Sequence, residues 1–126
     1  KVGKRAPMHC TSVGKAILAH LPDEVVLDVL KRKGMPAHTS HTITNEEQFL
    51  EELKQVRERG YALDLQENEY GITCISVPLF DHTGKVIAAM SISGPSIRMT
   101  DERLQQLYTR MISIGKKLSA RLGYIV

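Results

Sequence analysis

Cys74, Ser76, Ser91 and Ser93 interrupt the stretch "ITCISVPLFDHTGKVIAAMSISG" at 72–94, where branched hydrocarbon would pack better. The stretch reads as two strands joined by the turn "DHTG". Side chains alternate along a strand, so one face holds Ile75, Val77 and Leu79 with Val86, Ala88, Met90 and Ile92, a complete core face. The thiol and the hydroxyls fall on the other. Pairing Phe80 with Lys85 across the turn puts Cys74 directly opposite Ser91, with Ser93 beside them; a β-bulge would break that register. The three side chains should then converge on one sheltered hollow. Ile72, Pro78 and Ala89 share the face, giving half-apolar walls with a few polar points, as in a small-ligand pocket. The plainer alternative is a solvent face whose hydroxyls bond across strands. The long charged residues that usually furnish such a face are missing from it.

A second element is "TSVGK". A helix starting at Ser12 or Val13 presents backbone N–H groups without intrahelical acceptors, and these attract a carboxylate or phosphate. Seated over the polar sheet face, that helix end would complete a site for a small organic acid; otherwise it is an ordinary capped helix. Nucleophilic catalysis by Cys74 needs a base, and His9, His20, His38, His41 and His82 are the candidates. Spacing puts none beside the thiol, and a strand cysteine is usually inert packing, so no enzyme is expected. "HTSH" sets His38 and His41 three apart and His9 adjoins Cys10, but neither makes a paired ligand motif. No metal and no cofactor are expected.

The elements that must position these groups are legible. Residues 2–10 read as extended, with Pro7 opposing a helix interior. Thr11 or Ser12 caps a short helix. Pro22 sits in the first turn of the next, whose early acids Asp23 and Glu24 and late bases Lys31 and Arg32 match the helix dipole, and Gly34 stops it. "MPAHTSHTIT" is a loop. Thr44 or Asn45 caps a helix with Phe49, Leu50, Leu53 and Val56 at helical spacing, ended by Gly60. "YALDL" alternates as a strand and "QENEYG" is an acidic turn. After the hairpin, Thr100 or Asp101 caps a long helix with a stripe of Leu104, Tyr108, Met111, Leu118 and Leu122. Successive strands joined by short turns pair antiparallel, so the class is α+β, a sheet with flanking helices.

The 126 residues suffice for one domain with a real core. A net charge of +3, scattered along the chain, is too weak to argue for nucleic acid. No apolar run is long enough for a bilayer span, so no membrane partner is expected. Two cysteines make no disulfide framework, and both suit small buried residues in a reducing compartment. The chain begins at Lys1 rather than Met, as expected for a piece cut from a longer protein.

"TSVGKAILAHLPDE", "ERGYALDLQENEYGITCISVPLFDHTGKVIAAMSISGP" and "MTDERL" together resemble the effector-binding domain of the IclR family of bacterial transcriptional regulators, across nearly the whole chain. The resemblance implies a GAF-like or profilin-like antiparallel sheet with helices on its sides. It implies that residues 1–126 are the later part of an effector domain, truncated on its N-terminal side. It also implies a cytoplasmic homodimer or homotetramer that meets operator DNA only through an N-terminal winged helix-turn-helix absent from this chain. Family members that bind small acids use two backbone amides matching Ser12 and Val13, and side chains matching Asp64, Cys74, Ser91 and Ser93, with Ile72 as apolar wall. The implied partner is a carboxylate effector. Members binding glyoxylate-like acids carry Gly-Ala where this chain has Ser12-Val13, which implies a pocket of different volume.

Overall fold

The computed structural model describes residues 7–123. Four helices, α1 (Ser12–Leu18), α2 (Asp23–Lys33), α3 (Glu46–Arg59) and α4 (Asp101–Arg121), accompany three strands, β1 (Ala62–Leu65), β2 (Ile72–Phe80) and β3 (Val86–Pro95). The sheet is antiparallel in the order β1-β2-β3, and the class is α+β as expected.

Local chemistry sets the boundaries. Thr11, Asn45 and Thr100 are the residues that cap α1, α3 and α4; each side-chain oxygen accepts the N–H of the residue three positions on. Gly34 and Gly60 end α2 and α3 at positive φ. Pro22 departs slightly from expectation: it is the capping residue of α2, just outside the first turn. Residues 8–10 form a turn rather than an extended segment, and the start of that expected segment, residues 2–6, lies outside the described residues.

Two cores lie on opposite faces of the sheet. Ile75 and Val77 of β2 pack with Leu104, Leu107 and Met111 of α4. On the other face Ala62 joins Ala16 and Leu18 of α1, with Phe49, Leu53 and Val56 of α3 behind. The α4 stripe differs from the expected one at its C-terminal end. Gly115 and Ser119 are buried there, while Leu118 is half-buried and Leu122 exposed. Small residues let the helix approach β2 closely: a Cβ on Gly115 would lie 3.2 Å from a Val77 methyl.

The hairpin register is two residues away from the expected one. Cys74 pairs with Ser93, and Ser76 with Ser91. Two local features cause the slide. The turn is a three-residue loop in which Asp81 N–H donates to Lys85 O at 2.9 Å, Gly84 takes φ 82°, and the Asp81 carboxylate accepts from Thr83 and Lys85. A bulge at Leu79/Phe80 then shifts the ladder once more. Two single steps restore parity, so the polar side chains keep a common face.

Gly14 is needed for packing. A Cβ there would lie 2.6 Å from Met8 Cα, because the 8–10 turn crosses the helix at that point. Gly14→Ala should therefore destabilise the chain by about 1–3 kcal/mol in urea unfolding, and more than Gly115→Ala, whose nearest neighbour is a movable methyl. Equal stability of Gly14→Ala and parent would contradict this crossing.

Candidate functional site

Helix α1 lies across the face of the sheet that carries Asp64, Cys74, Ser76, Ser91 and Ser93. Its first residue reaches down to the centre of that face: Ser12 Oγ and Ser76 Oγ are 2.6 Å apart and both are buried. The Gly14 amide is held by Thr11 Oγ1, and the Lys15 amide makes the first intrahelical bond, to Thr11 O. The Ser12 and Val13 amides precede that bond and have no intrahelical acceptor.

Beneath this helix start the strands align their polar residues in rows. Asp64, Cys74 and Ser93 are consecutive cross-strand partners; Ala62, Ser76 and Ser91 form the next row. Of the expected site residues, Asp64 and Ser12 are buried, Cys74, Val13 and Ile72 half-buried, and Ser91 and Ser93 exposed. Ile72 stands at the end of the ladder opposite Pro95. The expected sheltered hollow is not closed among the described residues: β3 lies at the edge of their sheet, and Ser91 and Ser93 are exposed on that side. Ser76, which the sequence pattern placed on the polar face but outside the site, is the serine that meets the helix.

Burial governs the electrostatics. The Asp64 carboxyl is pushed up by desolvation, against the pull of the Glu67 and Asn68 amides that donate to its Oδ1 at 2.7 and 3.3 Å. Asp64 therefore also shapes the β1–β2 turn. Desolvation and then the neighbouring Asp64 charge push the Cys74 thiol up, and its hydrogen bond with Ser93 only partly offsets this. A thiol held protonated is the reverse of an activated nucleophile.

Several participants escaped sequence reasoning. Lys15, fully buried, sets its ammonium 3.0 Å from Glu52 Oε2, 2.7 Å from Glu67 Oε1 and 2.9 Å from Leu63 O. The turn read as acidic is partly interior, for Glu67 is buried. Thr39 and Thr42 donate hydroxyls to its carbonyls at Gln66 and Glu67. The fully buried Cys10 donates to Asn68 Oδ1 at 3.4 Å, and burial, then Asp64 and Glu67, push its thiol up to about 12. His9, Cys10 and His38 bring ligand-capable atoms within 4.8 Å of one another, which their spacing did not reveal. His9 Nε2 is 2.9 Å from Pro36 O, however, and the Cys10 thiol is engaged with Asn68. His41 is exposed in the same loop, and His20 packs edge-on against Phe80.

The family model "Bacterial transcriptional regulator IclR C-terminal" matches residues 1–120. The chain belongs to the IclR family. It is 41% identical over 124 residues to the HTH-type transcriptional regulator KdgR of Escherichia coli strain K12, covering 98% of this chain and 47% of that protein. It is 38% identical over 122 residues to the transcriptional repressor IclR of the same strain, covering 97% and 44%. The chain thus spans less than half the length of these curated relatives. Among solved structures, the C-terminal domain of E. coli KdgR superposes with a TM-score of 0.90 at 42% identity, covering 97% of this chain and 74% of that one. The inducer-binding domain of PobR from Acinetobacter, a double mutant in complex with 3-hydroxybenzoic acid, gives 0.83 at 32% identity, covering 100% and 70%. These relatives are transcriptional regulators, and no helix among the described residues is long and apolar enough to cross a membrane.

The thiols carry a pH prediction. An unfolded Cys10 ionises near the ordinary value of 9.0, the folded one at about 12. Between these values the unfolded state binds fewer protons, so stability falls as pH rises. Denaturation midpoints measured upward from pH 9 should drop, and Cys10→Ala should flatten the slope. An unchanged slope would mean that Cys10 is not buried as described.

Proposed function

We propose that this chain is the ligand-sensing part of an IclR-family transcriptional regulator and binds a small organic acid between the start of α1 and the polar sheet face. The observation that supports the reading is the 2.6 Å contact of Ser12 with Ser76, which ties the start of α1 to the row next to Asp64–Cys74–Ser93. The carboxylate would accept from those amides. Ser91 and Ser93 would donate hydroxyls, Cys74 its S–H, and Ile72 would wall the apolar part. A carboxylic acid bound to the related PobR domain supports this ligand class.

In this reading the acid has higher affinity for one arrangement of subunits than another, and so biases the spacing of DNA-reading heads. Those heads would be N-terminal winged helix-turn-helix modules, in keeping with relatives named HTH-type regulators, and the assembly a cytoplasmic homodimer or homotetramer. A protonated Cys74 with no histidine hydrogen-bonded to it among the described residues favours sensing over catalysis.

The test is a thermal-shift screen against a panel of small organic acids, repeated with Ser91→Ala/Ser93→Ala. Both serines are exposed, so the double variant should keep its Tm within about 2 °C, since surface substitutions cost within about 0.5 kcal/mol. It should lose at least about tenfold in affinity for any acid that stabilises the parent. A variant that unfolds while retaining affinity would make the serines structural.

A further inference from the structure

A cavity of about 600 Å³ lies apart from the polar face, at the other end of β2. It exists because β1 is short. That strand pairs only with residues 73–76 of β2, so the edge from Val77 to Phe80 runs past its end. The C-terminal ends of α3 and α4 stand on either side. Val77, Phe80, Ile112 and Ala120 make the walls mainly apolar, while His20, Arg57 and Lys116 contribute the polar points.

Two of these polar groups are cations, and they lack acidic partners among the described residues. Among the described residues no carboxylate lines the cavity. Arg57 spends one N–H on Ala19 O at 2.9 Å, and neither it nor Lys116 pairs with an acid among the described residues. The buried Nε2 of His20 has no hydrogen-bond partner among the described residues, and such an orphan is rare in a folded protein. Apolar walls, two unpaired cations and an unsatisfied imidazole nitrogen together define a complement to one ligand chemistry.

We infer that this cavity is a second small-molecule site, taking an organic monoanion whose apolar ring or chain lies against Val77, Ile112 and Ala120 while its carboxylate meets Arg57, Lys116 and His20. Occupancy would wedge α4 against the α3 end. Because β2 carries both this cavity and the Cys74–Ser76 rows, such a ligand would also bear on the first site. Burial, and secondarily Arg57, hold the His20 pKa below its ordinary value; a carboxylate alongside it would raise that pKa.

The test uses 2-naphthoate and NMR on the Ser91→Ala/Ser93→Ala chain, which removes the hydroxyls of the first site. The expected result is saturable movement of the Gly60 and Gly115 amide signals together with an upward shift of the His20 pKa. Ala120→Trp, at an exposed position lining the cavity, should abolish both responses with the fold intact. Lys116→Gln should weaken binding severalfold. No saturable binding, shifts confined to the Cys74 face, or undiminished binding to Ala120→Trp would each overturn the proposal without touching the reading of the first site.

Discussion

One buried ammonium holds this fold's site together. Lys15 leaves α1 with no solvent contact and ends among Glu52 of α3, Glu67 of the β1–β2 turn and Leu63 O of β1. Taking such charges out of water costs several kcal/mol per ion, and only close opposite charge with satisfied hydrogen bonds can offset it. Opposite charge is close: both Glu67 oxygens lie within 2.8 Å of Nζ, and Glu52 is shared with Arg59 at 3.6 Å, while Glu67 Oε1 and Arg59 Nη2 make no hydrogen bond among the described residues. Burial still pushes the Glu67 carboxyl up against the pull of Lys15, a cost that the cluster carries. Its value is positional, because losing any one partner strands the others.

That clamp fixes where α1 begins. A seven-residue helix has little intrinsic stability. Here it is pinned by Lys15, capped by Thr11, crossed by the Met8 backbone at Gly14 and bonded through Ser12 to Ser76. The start of α1 is therefore held against the sheet in a set geometry rather than sampling many, and in the proposed binding such preorganisation would spare an ordering cost. Asp64 belongs to the same construction. It aligns with Cys74 and also grips the turn that carries Glu67, so the polar row and the clamp share a residue.

Much of this was legible in sequence for physical reasons. Caps, glycine stops and the period-two pattern are local signals, and they placed every helix and strand. The face assignments also survived, because parity is a property of each strand. The exact cross-strand partners were not legible: the three-residue loop and the bulge depend on how Asp81 folds back on Thr83 and Lys85. The α4 stripe was misread beyond Met111, since hydrophobicity cannot show that the helix closes on β2 through Gly115 and Ser119. Long-range polar partners were hidden altogether. Lys15 and Glu67 are 52 residues apart, and each alone reads as a solvated charge. The family resemblance supplied Asp64 as a site residue, but only coordinates reveal its second task in the turn.

Hydrogen–deuterium exchange in Lys15→Met tests the clamp most directly. The account predicts that protection falls together in α1 and in the Glu67–Asn68 turn, by at least the factor of ~100 that ~3 kcal/mol represents, while Val77 on β2 and Met111 on α4 keep theirs. Loss confined to α1 with the turn unchanged, or no loss in either, would contradict it.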